Sequence, residues 1–224
     1  MEDERYKFAP IILDRYQKKR PPVADNRKKR SFSATLRYDE EPKKERTSPY
    51  TYRLLKPYIW RTFSSRPAKL RLMDEIYKLI EDPIDYCYLS YEHLEQINRL
   101  LRDTFWPGID VSEFLEYPDF TIVALYKKMV LGCAFMTPQG YITYVSVHPE
   151  WQSAGIASFM LYHLVQTIPN ADITLHVSTT NTAMILYQKF GFKPEEFIID
   201  FYHKYYPDER TDICKHAFFM RMRR

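Results

Sequence analysis

The chain has 224 residues, 45% of them hydrophobic and 16% aromatic, with a formal net charge of +4. That length holds one large domain or two small ones and can bury a substantial core. No apolar run approaches the roughly 20 residues of a bilayer span, and MEDERYKF at the start has neither the basic n-region nor the apolar core of a signal peptide. A secreted or membrane protein is therefore not expected.

Charge is unevenly spread. Residues 1–50 carry 14 Lys and Arg against 9 Asp and Glu, a balance of +5, and residues 51–224 carry 19 against 20, or −1. The first stretch, with KKRPPVADNRKKR and EEPKKERTSP, has few apolar residues at any periodic spacing, so ordering it costs entropy that little burial offsets. It reads as a basic, disordered tail or linker. The Lys18–Arg20 and Arg27–Arg30 clusters suit nuclear import or a nucleic-acid contact, although a charge run also serves simply to solvate a chain.

From residue 51 to 83 the sequence reads as a helical packing arm: PAKLRLMDEIYKLI places Leu70, Met73, Tyr77 and Ile80 on one helical face. A short strand, DYCYLS, follows. YEHLEQINRLLRDTF then carries Leu94, Ile97, Leu101 and Phe105 at spacings of three and four, the pattern of an amphipathic helix. A shorter helix is expected near Val111–Glu116. Three strand-like runs at 120–126, 129–137 and 141–147, with turns at Lys127-Lys128 and Pro138-Gln139-Gly140, suggest an antiparallel meander.

SAGIASFMLYHLVQTI gives a helix with Ile156, Met160 and Leu164 inward. The strand ITLHV, the helix TAMILYQKF stopped by Gly191, and the strands EEFIIDFY and CKHAFFMRM complete the chain. This order argues for a single mixed α/β domain over residues 84–224. Cys87, Cys133 and Cys214 lack zinc-site spacing and read as reduced core residues, as in a cytosolic or nuclear protein. No metal site is expected.

The junction HPEWQSAGIASFM joins a strand to a helix inside a βαβ unit, so the strands at 141–147 and 173–177 are expected to be parallel neighbours. The first turn of such a helix offers backbone N–H groups with no intrahelical acceptor, at the positive end of the helix dipole. Gly155 and Ala157 would let a phosphate approach them closely.

Gln152-Ser153-Ala154-Gly155-Ile156-Ala157 resembles the Gln/Arg-x-x-Gly-x-Gly/Ala motif of the GNAT acetyltransferases, where it binds the pyrophosphate of acetyl-CoA. NTAMILYQKFGF resembles that family's second motif, with one residue fewer after Asn181. The likeness runs over about residues 84–222 and implies the GNAT acyl-CoA N-acyltransferase fold: a mostly antiparallel sheet with a splayed parallel strand pair. It implies acetyl-CoA as cosubstrate, held by the backbone of Val145 and Val147, by residues 152–157 and by Asn181. Gln152 stands where Arg is commoner, which removes one charge from the phosphate site.

The same resemblance implies catalytic roles. Tyr187 matches the family tyrosine near the cofactor sulfur, a general acid, and a backbone amide near Val145 would polarise the thioester. The glutamate base of the best-known histone enzymes is replaced by Tyr141. Strand alternation turns His176 away from Leu175 and Val177, and several family members that acetylate protein N-termini carry this Tyr and His pairing. Tyr141 and His176 are therefore expected to act as a water-linked base pair. His148 and Glu150 are weaker candidates, on a turn expected to face solvent.

The family's acceptor groove corresponds to FWPGIDVSEFLEYPD and DFYHKYYPDERTD. Glu113, Glu116 and Asp119 in the first, and Asp200, Asp208, Glu209 and Asp212 in the second, with Tyr202, Tyr205 and Tyr206, would suit a basic peptide. KPYIWRTF, the DYCYLS to WPGID stretch and CKHAFFMRMRR are similar to family members that act on histone tails inside multisubunit chromatin complexes. That implies a nuclear histone lysine acetyltransferase partnered by other subunits, with nucleic acid contacted only through the basic tail. The open alternatives are a protein α-amine acetyltransferase and a non-catalytic acetyl-CoA-binding scaffold.

Overall fold

A computed structural model describes residues 45–68, 71–72, 75, 82–206 and 213–224. Its centre is an eight-stranded sheet with the order β3-β4-β5-β6-β7-β8-β10-β9. The strands are β3 (Trp60–Thr62), β4 (Ile84–Cys87), β5 (Thr121–Tyr126), β6 (Met129–Met136), β7 (Tyr141–Val147), β8 (Ile173–Ser178), β9 (Lys193–Ile198) and β10 (Ala217–Met222). Two further strands, β1 (Arg46–Thr47) and β2 (Leu54–Leu55), form a separate hairpin. Among the described residues the α-helices with complete ranges are α1 (Leu94–Thr104), α2 (Ile156–Thr167) and α3 (Ala183–Lys189), and Ala68, Arg71, Leu72 and Glu75 are helical as well.

Every neighbouring pair in the large sheet is antiparallel except β7 and β8. The crossover through α2 requires that exception, because parallel strands need a long connection. The helix buries Ile156, Met160, Leu161, Leu164 and Val165, so the expected inward face is the observed one. In α1, Ile97 and Leu101 of the expected apolar stripe are buried, as a spacing of four residues on one helical face requires.

Residues 45–62 differ from expectation. The sequence suggests a tail through residue 50 and a helical arm from 51, but Arg46–Thr47 pairs with Leu54–Leu55, and Trp60–Thr62 adds an edge strand to β4. Polar anchors hold the segment. Ser48 donates to the buried Asp119 carboxylate, Thr51 Oγ1 donates to the same group at 2.8 Å, and Arg46 donates to the Leu89 carbonyl. Arg61 Nε lies 2.7 Å from Asp85 Oδ1. Asp119 is therefore no groove acid: it is 3% exposed and occupied by hydroxyls from the hairpin. Periodicity misses such a segment because strands of two or three residues have no period to detect. Residues 1–44 and Leu70, Met73, Tyr77 and Ile80 lie outside the described residues.

Other boundaries shift slightly. β9 ends at Ile198 rather than running to Tyr202, because Asp200, at φ 55°, turns the chain. Cys87 and Cys133 are buried, as expected of core residues, whereas Cys214 is only partly buried.

Replacing Asp119 removes the acceptor shared by Ser48 and Thr51. Asp119→Ala should lower unfolding stability by about 1–3 kcal/mol in urea titrations. It should also speed amide hydrogen exchange in residues 46–55 more than in β5 to β7.

Candidate functional site

The site begins at a fault in the sheet. Opposite β6, Phe135 faces Tyr144 and Met136 faces Ile142, so Thr143 is an extra residue and β7 carries a β-bulge. Pairing of β7 with β8 stops at the same place: only Tyr141 with Thr174 and Ile142 with Leu175 are in register. The two strands part beyond Ile142.

The bulge also switches which backbone groups face the gap. Before it, the Gly140 carbonyl accepts from Thr174 N–H on β8 at 2.9 Å, while the Tyr141 carbonyl turns back to Thr137 N–H at 2.8 Å. After it, His148 N–H reaches back to Leu131 on β6 at 2.7 Å. Strand alternation then points the backbone of Val145 and Val147 into the gap. Gln152 Nε2 approaches the Val147 carbonyl from that side at 3.4 Å.

The second component is the turn into α2. Ser153 has φ 59° and Gly155, the N-cap of α2, has φ 80° and ψ 0°. Glycine adopts this left-handed geometry at no steric cost, whereas other residues pay about 1 kcal/mol or more. A Cβ on Gly155 would meet nothing within 4 Å, so open space lies over the turn. The amides of Ser153, Ala154, Gly155, Ile156 and Ala157 have no backbone acceptor among the described residues. Five donors at a helix N-terminus beside open space form an anion seat. Gln152 contributes its place in the turn, its carboxamide being directed at Val147 rather than toward the seat.

The third component is a cluster of rings at the start of β7. Tyr141 Oη and His176 Nδ1 are hydrogen-bonded directly at 3.0 Å. His176 stacks on Phe201 at 4.1 Å between centroids and 6° between planes, and its Nε2 is buried with no hydrogen-bond partner among the described residues. Burial pushes its pKa down to about 3, so the imidazole is neutral at physiological pH. Burial drives the Tyr141 hydroxyl well above the usual phenol range, with Tyr202, Tyr205, Tyr144 and Tyr187 adding to the effect. Tyr187, on α3, is 8% exposed and is also raised by burial, so it keeps its proton.

Residues 118–194 match the family described as Acetyltransferase (GNAT) domain. The chain contains a GNAT acetyltransferase domain. Along 95% of its length it is 48% identical to cysteine-rich protein 2-binding protein of Homo sapiens, of which it spans 30%. A solved NatC complex bound to Gag peptide and CoA matches 63% of this chain and 98% of its own, with a TM-score of 0.54 at 19% identity. Arabidopsis thaliana Naa50 in complex with the bisubstrate analogue CoA-Ac-MVNAL matches 62% and 97%, at a TM-score of 0.50 and 21% identity. These two likenesses carry the fold.

Within the GNAT frame the expected residues fall into three groups. Val145, Val147 and residues 153–157 line the gap and the seat. Tyr141, His176, Tyr187, Tyr202, Tyr205 and Tyr206 converge on the ring cluster, but Tyr141 and His176 touch directly, so the water expected between them has no room. Asn181 and Glu113 stand apart. The Asn181 side-chain oxygen accepts from Ala183 N–H at 2.8 Å, a helix-capping task that accounts for an asparagine there. Glu113 is half-buried on a short 3₁₀ helix beside the core residue Phe114.

The acidic groove is thinner than the sequence suggests: Asp119 is buried, Asp200 lies 3.4 Å from His216, and Asp208, Glu209 and Asp212 are outside the described residues. The cluster also holds a residue that sequence reasoning does not single out. Trp106 stacks on Tyr205 at 4.4 Å and 16°, and its sequence signal is no more than an indole inside the FWPG loop.

The depressed His176 pKa fixes a stability trend. Unfolding restores a pKa near 6.5, so the unfolded chain binds the proton first, and stability falls as pH drops from about 6.5 toward 3. His176→Phe should make stability less acid-sensitive: between pH 7 and pH 5, the fall in the urea midpoint should be smaller than in the wild type.

Proposed function

We propose that this protein is an acetyl-CoA-dependent acetyltransferase whose acceptor is a lysine side chain on a histone tail. Acetyl transfer is carried by one observation, the gap between β7 and β8 that opens at the Thr143 bulge beside five unclaimed amides. Extended pantetheine fits a strip of free strand backbone, and a pyrophosphate fits the seat at the start of α2. The seat and gap thus suit acetyl-CoA, which supplies the activated acetyl group as a thioester.

The chain's own groups cover three tasks. A Val145 backbone amide, facing the gap, is placed to hydrogen-bond the carbonyl oxygen as negative charge develops there. Tyr141 Oη, bonded to His176 Nδ1, would take the proton that the amine releases as it attacks while passing its own to the imidazole, which would hold it as a transient imidazolium. The C–N bond would form as the C–S bond breaks, Tyr187 would give its proton to the departing thiolate, and the proton held on His176 would restore the Tyr187 hydroxyl by way of solvent, so that the net transfer runs from amine to thiol. Tyr141 remains neutral at start and finish, so its raised pKa is compatible with a conduit and not with a standing phenolate base.

The histone acceptor rests on the likeness of KPYIWRTF, the DYCYLS to WPGID stretch and CKHAFFMRMRR to family members that act on histone tails. This pattern resembles the acetyltransferase subunit of the metazoan ATAC complex. A nuclear site of action, with import aided by Lys18–Arg20 and Arg27–Arg30, and work alongside other chromatin-complex subunits belong to the same proposal. The name of the human relative adds cysteine-rich protein 2 as a binding partner to test.

The test is mass spectrometry of histone-tail peptides incubated with acetyl-CoA. Lysine side-chain label supports the proposal, and no label on any amine contradicts it. In steady-state assays Tyr141→Phe should cut kcat/KM about 100-fold, the scale of a lost general-base path. Gly155→Val should instead act mainly on the KM for acetyl-CoA, raising it roughly tenfold, because a branched residue resists φ 80° and its side chain enters the open space over the seat.

A further inference from the structure

Phe201 follows Asp200, where φ 55° turns the chain, and is 8% exposed. Its backbone is tied on both sides to the residues that enter β10: Asp200 N–H donates to His216 Nδ1 at 3.0 Å, and Tyr202 N–H donates to the Lys215 carbonyl at 2.9 Å. The ring so placed lies flat on the His176 imidazole, at 4.1 Å between centroids and 6° between planes. Phe219, the cross-strand partner of His176 on β10, meets the same imidazole at 5.2 Å and 45°.

In a buried histidine the hydrogen bond at one ring nitrogen ordinarily sets what the other presents. His176 has no such second bond: Nδ1 is held by Tyr141 Oη at 3.0 Å, and Nε2 is buried with no hydrogen-bond partner among the described residues. Rotation about the bond to an imidazole is soft, so a single hydrogen bond leaves the ring free to swing Nδ1 out of line. The flat ring of Phe201 removes that freedom, because turning the imidazole drives one of its edges into a neighbour already in van der Waals contact. Leucine would also bury apolar surface there, but it has no face to stack. The contact has a second consequence. When Tyr141 passes its proton, the imidazole becomes a cation, and a phenyl face attracts a cation through its quadrupole. Burial alone sets the His176 pKa, with no carboxylate acting on it among the described residues, so the ring face is the group placed to meet that charge.

We propose that Phe201 is a positioning residue of the acetyl-transfer site: its ring keeps His176 Nδ1 aimed at the Tyr141 hydroxyl and faces the imidazolium formed as the proton arrives. In that step the Tyr141 O–H bond breaks as the Nδ1–H bond forms, and the proton released by the amine replaces the one that Tyr141 gave. Phe201 gains and loses nothing. The inference rests on the reading of Tyr141 and His176 as the proton path, and it gives the β9–β10 connection, which also carries Tyr202 and Tyr205, a share in the chemistry.

The test compares Phe201→Leu with Phe201→Tyr, which keeps the ring face, on a lysine-bearing histone-tail peptide and acetyl-CoA. Phe201→Leu should lower kcat about tenfold, the scale of one aromatic contact, and leave the KM for acetyl-CoA unmoved, whereas Phe201→Tyr should restore the rate to within about twofold of wild type. In a Tyr141→Phe background, Phe201→Leu should cost nothing further, because a residue that acts through the pair has nothing left to act on. In NMR spectra the Tyr141 hydroxyl proton should exchange with water about tenfold faster in Phe201→Leu than in wild type, a readout that needs no turnover. Should Phe201→Leu fail to fold, Phe201→Met, longer and likewise without a ring, takes its place. Equal falls in kcat in both backgrounds, or unchanged hydroxyl exchange, overturn the Phe201 assignment and leave acetyl transfer standing. Tyr141→Phe as active as wild type, with hydroxyl exchange still accelerated by Phe201→Leu, overturns the proton path, and the kinetic role of Phe201 with it.

Discussion

One extra residue in β7 governs the site. The Thr143 bulge ends the two-residue pairing of β7 with β8 and turns the backbone of Val145 and Val147 toward the space that opens. Without it the two strands would continue as an ordinary parallel pair, and every one of those amides and carbonyls would be spent on the neighbouring strand. A bulge costs ladder hydrogen bonds, and here the cost is confined to the one place where free backbone is useful. The left-handed turn through Ser153 and Gly155 extends the same logic, leaving donors unclaimed where the next element begins.

Around that fault the chain divides polar work by burial. Asp119 and Asp85 anchor the 45–66 segment, the first through two hydroxyls and the second through a guanidinium that compensates its charge. The ring cluster does the opposite. It gathers the hydroxyls of Tyr141, Tyr187 and Tyr202 without a carboxylate among the described residues of the cluster, and burial keeps all three phenols protonated and His176 neutral. A proton passed from Tyr141 to His176 makes an imidazolium that this medium solvates poorly, so the charge is held only in passing.

The sequence carries the order of elements from β4 to α3 because each has a period or a turn signal long enough to read. It carries the seat, since SAGIA at a strand-to-helix junction has a backbone meaning. It does not carry β1, β2 and β3, which are too short to show alternation, or the partners of Asp119, which lie about 70 residues away in the chain. Spacing puts Tyr141 and His176 in one cleft but cannot measure their separation, and a water is expected where the atoms in fact touch. Trp106 and Phe201 are invisible for a related reason: their meaning lies in the rings they stack on.

The central claim is that β7 backbone beyond the bulge and the first amides before α2 together seat acetyl-CoA. Amide hydrogen exchange, read residue by residue with and without acetyl-CoA, addresses it directly. Binding at this seat should protect Val145, Val147 and Ser153–Ala157 and leave β4 and β5 unchanged. Unchanged exchange at those amides in the presence of saturating acetyl-CoA, or protection confined to another part of the sheet, would contradict it.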